Sequence, residues 1–456
     1  MAKKKKISSP AGTLCVPQIT PAEIQRFKSL GEIAESAYTR FGDYANNHRQ
    51  LPDVRDGIKV SYRRVLTAAL EHPIGAHIST ATLLGELSSR HPHSVDGCST
   101  LINNFVHSGI FDGDGNFGEI YVLDGDSTES AAPRYTKVCI SQKYRKILGD
   151  LIKDVPWNDS PVEKKEPDFM PTPLPLAFIL KYHMQGLGVA IKTEIPSFSM
   201  QSMYNALIND DPSLLESGVD LILDKSRSDL VGLWTKGTGK ITYSYHLSRV
   251  VSDDGKTEGI LFQGDTGVFQ VKLSKKLKKL QEESKITIDN VSDMSGPKML
   301  ISRVPGARGV TIDDIAKLCE EVCRNTTQYT LNVTDGKTCF TIPLREWLRY
   351  TYGNYIDLLK FSVSKKISQT EFDIKVQTAL PAVADLVMKN PKITDKEIID
   401  ALGLEADVVS NIMTKPIGQL RKNKDNSDRI KSLKERLKNL KAFDPKKHTE
   451  EVISEF

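Results

Sequence analysis

An arginine followed directly by a tyrosine, Arg134-Tyr135, is the pair of residues most suited to covalent chemistry on a phosphate. A tyrosine phenol is a poor nucleophile at neutral pH because its ordinary pKa is about 10. A neighbouring guanidinium stabilises both a phenolate and the negative charge that develops on an attacked phosphate. Such an attack joins the phosphate to the enzyme and retains the bond energy for resealing. The alternative is a tyrosine that only packs in a core or on a surface.

Basic residues gather upstream of this pair, around an Asp-Gly turn. They are Arg49, Arg55, Lys59, Arg63 and Arg64. Arginine binds phosphate oxygens through two parallel hydrogen bonds, so a cluster of this kind suits a nucleic-acid backbone. We therefore predict phosphate contacts here. An ordinary solvated surface is the alternative.

Two short helices joined by a tight turn are predicted between the basic cluster and the Arg-Tyr pair. The pattern predicts a helix over 83–90, the turn His91-Pro-His93, and a second helix over 94–105. Helix, turn and helix in this order form a helix-turn-helix layout, whose second helix enters a DNA groove in DNA-binding proteins. The same layout also occurs in proteins that do not bind DNA.

The remaining chain is divided by its hydrophobic periodicity. Glycine and aspartate in residues 111–126 predict a loop, and alternation over 230–340 predicts strands. From Leu344 onward, apolar residues recur at steps of three and four, which predicts a long helix, and the pattern returns over 430–440. With a helical block at 379–419, these helices suggest antiparallel arms that carry a knob. An ordinary helical bundle fits the same periodicity.

Charge and composition narrow the class of protein. The chain has 456 residues, with 62 Lys and Arg against 58 Asp and Glu and a net charge of +4. This total excludes a histone-like polycation but not locally concentrated positive charge. The sequence contains no apolar stretch of about 18 residues, so no membrane span is predicted. The lysines at the start have no apolar segment behind them, so we expect no signal peptide.

Neither a metal site nor a cofactor site is predicted in this chain. The six cysteines are scattered and include no Cys-x-x-Cys pair, which excludes a zinc ribbon and is typical of a cytoplasmic protein with free thiols. Residues 113–118 match Gly-x-Gly-x-x-Gly, but a strand-like segment follows where a dinucleotide site needs a helix. The phosphate-binding motif Gly-x-x-x-x-Gly-Lys-[Ser/Thr] does not occur.

Taken in order, the motifs resemble those of one enzyme family. They are Leu-Pro-Asp-Val-Arg-Asp-Gly-x-Lys with Arg-Arg, His-Pro-His, Gly-x-Gly-Asn-Phe-Gly, and Ala-Ala-x-Arg-Tyr-Thr. This series resembles the breakage–reunion subunit of type IIA DNA topoisomerases, which include the gyrase A subunit, the topoisomerase IV A subunit and the medium subunit of T-even phage enzymes. The similarity extends over most of the chain, and its sharp motifs lie within residues 45–200.

The resemblance implies roles for the residues that could act in cleavage. Tyr135 matches the catalytic tyrosine that attacks a DNA phosphate and stays linked to the 5′ end, and Arg134 matches its neighbouring cation. Arg49 and His93 match basic positions that assist at the scissile phosphate.

The resemblance also implies residues that hold and bend DNA. Lys59, Arg63 and Arg64 match the family's DNA-binding cluster. Leu187 falls where the family has an apolar wedge that enters the base stack. Such a wedge costs unstacking energy but permits a more extensive contact surface on bent DNA.

The implied architecture is an α+β multidomain fold. Its segments are a flexible N-terminal lead-in (1–30), a winged-helix (helix-turn-helix) DNA-gate domain with the catalytic tyrosine (31–165), a mixed α/β tower domain (166–342), long antiparallel coiled-coil arms with a helical dimer-gate domain (343–443), and a tail (444–456).

The resemblance further implies partners and cofactors. In the family, an acidic TOPRIM domain binds Mg²⁺ and a GHKL domain binds ATP, and neither pattern is visible here. We therefore expect a gyrase B-like partner that supplies both, in a heterotetramer containing a homodimer of this chain on double-stranded DNA. The chain ends soon after its second long helix, so we expect an ATP-dependent type II isomerase that relaxes or decatenates DNA rather than introducing negative supercoils.

Three other classes remain for comparison. A non-catalytic helix-turn-helix DNA-binding protein predicts binding without covalent attachment. A tyrosine recombinase would need a His-x-x-Arg motif well before a tyrosine near the C-terminus, whereas Tyr135 lies in the first third of the chain. A structural coiled-coil protein would leave the first 200 residues unexplained.

Overall fold

The computed structural model describes most of the chain, namely residues 29–91, 95–118, 129–149, 151–159, 164–181, 184–251, 258–264, 277–291, 298–414 and 426–456. Internal contacts divide it into two compact units. The first comprises Met1–Tyr355 with Val452–Phe456, and the second comprises Ile356–Glu451. Helices and several sheets occur together, which confirms the predicted α+β class.

The helices of the first unit alternate with short strands. They are α1 (Leu30–Ala45), α2 (Val60–Leu70), α3 (Thr80–Ser88), α4 (Val95–His107), α5 (Gln142–Leu148), α6 (Met200–Asn209), α7 (Leu230–Lys236) and α8 (Ile312–Val322). Helix α1 begins at Ser29, whose hydroxyl accepts a hydrogen bond from the Glu32 N–H at 3.3 Å. It ends in a single turn of π-helix, Asn46–Gln50.

The strands also belong to the first unit. They are β1 (Ile78–Ser79), β2 (Phe111–Asp114), β3 (Lys137–Ile140), β4 (Trp157–Asn158), β5 (Glu166–Pro167), β6 (Gln185–Leu187), β7 (Lys192–Glu194), β8 (Ile222–Leu223), β9 (Thr238–Ser244), β10 (His246–Val251), β11 (Glu258–Gln263), β12 (Ile286–Asn290), β13 (Lys298–Arg303), β14 (Arg324–Thr330), β15 (Asn332–Thr334) and β16 (Cys339–Thr341). They form sheets in the orders β1-β3-β2, β6-β7-β14-β9-β8 and β10-β11-β13-β12, with the pairs β4-β5 and β15-β16.

The second unit is helical throughout its described part. A 46-residue helix, α9 (Leu344–Lys389), begins in the first unit and continues into the second. It is followed by α10 (Asp395–Leu402), α11 (Ala406–Met413), α12 (Ser427–Lys441) and α13 (Pro445–Ser454). The core of the unit joins α9, α10 and α11 through buried Val383, Ile398 and Ile412.

Several local predictions can be compared directly with these elements. The helices predicted at 83–90 and 94–105 are confirmed as α3 and α4, and the long helix from Leu344 is confirmed as α9. The loop predicted to start at Phe111 is wrong for its first four residues, which form β2. Phe111 is buried and pairs with Ile140 of β3, so burial outweighs the turn-forming composition.

The remaining predictions concern His93, the N-terminal lead-in, the C-terminal tail and membrane spans. His93 lies outside the described residues, and so does the lead-in up to residue 28. The segment predicted as a tail contains α13, and its terminal Phe456 packs edge-on against Tyr144. Within the described residues, no helix has the length and apolar character needed to cross a membrane.

A short stretch, residues 52–58, joins distant parts of the first unit, and we call it the hub segment. Its Val54 N–H donates to the Thr334 carbonyl at 2.8 Å, and the Val54 carbonyl accepts from the Trp347 indole at 2.8 Å. The carbonyl of Asp56 accepts from the Leu176 N–H at 2.9 Å. The hub segment therefore ties the β15–β16 hairpin, the start of α9 and the 170s segment together.

Arg63 of α2 is buried against two carboxylates of the hub segment. Its Nε donates to Asp56 Oδ2 at 2.9 Å, and its Nη2 donates to Asp53 Oδ2 at 3.2 Å. The fully buried Asp56 also accepts from the N–H groups of Ile58 and Met170, at 3.1 and 2.9 Å. Each carboxylate therefore has several donors, as a buried charge requires.

The pKa values of the two carboxylates shift in opposite directions. Burial raises the pKa of Asp56, and the positive charge of Arg63 opposes this change. Burial also acts to raise the pKa of Asp53, but hydrogen bonding by Arg55 and the charge of Arg63 lower it below its usual value. Arg55 makes further hydrogen bonds to Asp168.

The predicted role of Arg63 is revised by this arrangement. The side chain is only 6% exposed and its guanidinium is bound to carboxylates, which favours a structural role over the predicted DNA contact. The prediction rested on charge and sequence position alone. Both are equally compatible with an arginine that neutralises buried acids.

We expect Arg63→Ala to destabilise the first unit by about 3–5 kcal/mol, because it leaves the fully buried Asp56 without its cation and removes one of the two guanidinium groups bound to Asp53. Denaturant unfolding of the full chain measures this change. Arg308→Ala removes an exposed arginine and should change the free energy of unfolding by no more than about 0.5 kcal/mol. Equal effects of the two substitutions would contradict a structural role for Arg63.

Candidate functional site

Tyr135 projects into solvent from a rigid turn. It ends the 3₁₀ turn Pro133–Tyr135, directly before β3, and is 67% exposed. Its N–H donates to the Ala132 carbonyl at 2.8 Å. The guanidinium carbon of Arg134, also exposed, lies 4.6 Å from the centre of the Tyr135 ring. An accessible phenol is therefore held beside a cation.

The backbone on both sides of Tyr135 is fixed by close contacts. The buried Thr136 donates its hydroxyl hydrogen to the Thr80 hydroxyl at 2.8 Å, and its carbonyl accepts from the Thr80 N–H at 2.9 Å. Gly115 approaches from the end of β2 with φ at +115°, and a Cβ there would lie 2.9 Å from the Tyr135 carbonyl oxygen. Only glycine suits such a position. The main chain is thus constrained while the phenol stays free.

Two of the predicted basic residues remain available to a ligand. Arg49 is exposed in the π-helical turn, with its guanidinium carbon 5.5 Å from the centre of the Tyr44 ring. Lys59 is half-buried at the N-terminal end of α2, and burial lowers its pKa. Within the described part of the chain, neither side chain forms an ion pair with a carboxylate. A partly desolvated cation of this kind favours an anionic ligand.

The positive charges of Arg64 and Arg49 both act on the imidazole of His91. Arg64 Nε donates to Glu166 Oε1 at 2.6 Å. Burial lowers the pKa of His91, the positive charges of Arg64 and Arg49 lower it further, and Glu166 opposes them. The structure thus brings the π-helical turn after α1, helix α2 and the turn of the helix-turn-helix segment together.

Leu187 is the exposed apolar residue of the predicted site. It lies at the end of β6, pairs with Lys192 of β7 and is 69% exposed. Isolated exposed leucines are common on protein surfaces. This one is presented on a short two-stranded hairpin rather than on a broad face.

The positioning contacts of Asn46 and Gly115 were not predicted from the sequence. Asn46 lies in the same π-helical turn as Arg49 and contacts the Leu187 hairpin through its side chain. The adjacent residues Asn46 and Asn47 are weak helix formers, and this is the sequence signal that marks the end of α1. Gly115 is the second glycine of the Gly-x-Gly-Asn-Phe-Gly motif, but nothing in the sequence indicated its contact with Tyr135, which lies 20 positions away.

The predicted residues fall into separate local groups. Tyr135 contacts Arg134 beside the three-stranded sheet, whereas Arg49, Arg64 and His91 form a second group around α1 and α2. Among the described residues, no group of three His, Cys, Asp or Glu side chains is arranged to hold a metal ion.

We expect Arg64→Gln to raise the pKa of His91 toward its ordinary value. The substitution removes a repelling positive charge and leaves the Glu166 carboxylate free to stabilise the imidazolium. NMR titration of the imidazole measures the shift, and Glu166→Gln should move the pKa in the opposite direction. An unchanged His91 pKa in both variants would contradict the effect of these charges on the imidazole.

Comparison with known proteins adds a family assignment. A model of the DNA gyrase/topoisomerase IV A-subunit family matches residues 49–456. The chain is similar to the DNA gyrase A subunit of Helicobacter pylori, at 30% identity over 311 residues that cover 63% of this chain and 33% of that protein. The DNA gyrase A subunit of Escherichia coli is 27% identical over 317 residues, which cover 62% of this chain and 34% of that protein. The match spans about a third of the length of these relatives.

Proposed function

The chain belongs to the DNA gyrase/topoisomerase IV A-subunit family, and from this premise we propose that it is the DNA-cleaving subunit of a type IIA DNA topoisomerase. One observation carries the proposal: an exposed Tyr135 phenol lies beside the Arg134 guanidinium on a constrained backbone. In this function, one duplex passes through a double-strand break in another, and resealing leaves the DNA relaxed or decatenated.

The proposed chemical step is a transesterification. The Tyr135 oxygen attacks the phosphorus of a DNA phosphodiester and loses its proton, the bond from phosphorus to the 3′ oxygen breaks, and the 3′ hydroxyl leaves with a proton. The 5′ phosphate is then joined to the tyrosine, and the reverse step reseals the strand. Arg134 stabilises the negative charge that develops on the phosphate oxygens. By the family resemblance, Arg49 and His93 are assigned to assist at the scissile phosphate.

DNA contacts are assigned to the cations that lack an internal role. Lys59 and Arg49 are the strongest candidates, because they form no ion pair with a carboxylate within the described residues. Arg64 is shared with Glu166 and is placed at the edge of the interface. Arg63 supports the hub segment instead. Affinity comes mainly from such phosphate contacts, and they do not depend on base sequence.

The helices α2, α3 and α4 with the β1-β3-β2 sheet support a winged-helix DNA-gate domain over 31–165. In this arrangement α4 enters a groove of the duplex. Leu187 acts as the wedge that separates two base steps and bends the DNA, since its side chain is exposed at a hairpin end. The tower domain corresponds to 166–342.

The remaining parts of the proposal concern assembly. Helices α9 and α12 supply the antiparallel arms, and the helices between them supply the dimer gate of a homodimer. Membership of the family supports a cytoplasmic heterotetramer in which a gyrase B-like partner binds Mg²⁺ and ATP.

We expect Tyr135→Phe to abolish covalent DNA cleavage, because the nucleophilic oxygen is removed. The chain is mixed with its partner protein, Mg²⁺ and supercoiled plasmid, and the reaction is stopped with detergent to trap protein-linked DNA. Tyr350→Phe, which removes the hydroxyl of another exposed tyrosine, is the matched control and should cleave normally.

Two outcomes would contradict the proposal. Cleavage that persists in Tyr135→Phe would exclude Tyr135 as the nucleophile. DNA binding by the unmodified complex without any covalent product would favour the non-catalytic helix-turn-helix protein. DNA affinity itself should change little in Tyr135→Phe.

We expect Lys59→Ala to weaken DNA binding about equally for all sequences and to reduce the slope of log affinity against log salt by about 1. The reason is that one phosphate contact, with its released counterion, is lost. Lys389→Ala changes the net charge by the same amount from an exposed position in the second unit and should leave the slope unchanged. Equal slopes for the two variants would remove Lys59 from the interface.

A further inference from the structure

The side chain of Asn46 holds the tip of the hairpin that carries Leu187. Its Nδ2 donates to the Val189 carbonyl at 3.0 Å, and its Oδ1 accepts from the Val189 N–H at 2.7 Å. Both main-chain polar groups of Val189 are thus satisfied by one amide, as a neighbouring strand would satisfy them. Asn46 is itself buried.

The fit between the two elements is tight on both sides. Gly188 approaches so closely that a Cβ there would lie 2.1 Å from Asn46 Oδ1. One helical turn before Asn46, a Cβ on Gly42 would lie 3.2 Å from a methyl carbon of Val189. The hairpin tip therefore has little freedom to move relative to α1.

The hairpin needs this contact at its tip. Strands β6 and β7 have only three residues each, and a two-stranded hairpin of that length is marginal alone. Its base is anchored where Glu194 of β7 pairs with Thr330 of β14. The amide of Asn46 then determines where the Leu187 end lies.

Asn46 also shares its π-helical turn with Arg49. The Asn46 carbonyl accepts from the Leu51 N–H at 3.2 Å, which closes the turn around Arg49. Single π-helical turns are often found at functional sites. Arg49 and the Leu187 hairpin are therefore positioned by the same few residues.

We propose that Asn46 is a positioning residue that fixes the position of Leu187 relative to Arg49. Leu187 can then enter the base stack while Arg49 binds a phosphate at a fixed distance along the same duplex. This inference rests on the proposed function, in which Leu187 bends the DNA. Asn46 itself touches no DNA in this scheme. It acts through Leu187.

The test is a double-substitution cycle with DNA bending as the readout. A short duplex labelled with a dye at each end is bound to the full chain with its partner, and energy transfer reports the bent fraction. Asn46→Ala removes both hydrogen bonds and should lower the bending equilibrium constant roughly tenfold. Affinity should fall much less, since phosphate contacts remain. Asn209→Ala, an exposed helical asparagine, should have no effect.

The double-substitution cycle distinguishes a positioning role of Asn46 from a general effect on protein stability. In a Leu187→Ala background, Asn46→Ala should cause no further loss of bending, because the wedge is already absent. Gly188→Ala tests the same contact from the hairpin side and should reproduce the loss, since the added methyl displaces Oδ1 of Asn46. In the Asn46→Ala background Gly188→Ala should add little.

The experiments distinguish a failure of this inference from a failure of the proposed function. Normal bending in Asn46→Ala, or losses that add in the double variant, would overturn the positioning role while leaving the Leu187 wedge intact. Normal bending in Leu187→Ala would overturn the wedge and the inference together. Neither result would affect the test of Tyr135, which depends on covalent cleavage alone.

Discussion

The buried contact of Arg63 with Asp53 and Asp56 is the interaction on which the rest of the first unit depends. It holds the hub segment against α2, and the hub segment in turn bonds to Thr334 and Trp347. A buried ion cluster is stable only when every member keeps its partners. The positions of α2 and of the start of α9 therefore follow from one set of hydrogen bonds.

This constraint divides the basic residues into two kinds. Arg55 and Arg63 neutralise carboxylates inside the unit, whereas Arg49 lies in the π-helical turn after α1, and Lys59 lies at the start of α2, which the cluster holds in place. The first kind supplies rigidity and the second supplies charge for a ligand. A site that binds phosphates needs both, because an exposed cation on a mobile backbone loses entropy when it binds.

The same separation of rigid backbone and free side chain recurs at Tyr135 and Leu187. Thr136 and Gly115 fix the main chain beside the phenol, and Asn46 fixes the hairpin that carries Leu187. Each functional side chain is exposed at the end of a short element. Its neighbours, rather than the side chain itself, make the packing contacts.

The sequence alone determined the residue types and local periods, and from them the α+β class, the helices α3, α4 and α9, and the Arg134-Tyr135 pair. It could not determine which basic residues face solvent, because Arg63 and Lys59 have similar surroundings in the sequence. The carboxylates that bury Arg63 act together only after the hub segment folds back onto α2. The contact of Asn46 with Val189 spans 143 positions, so only the tertiary structure decided it.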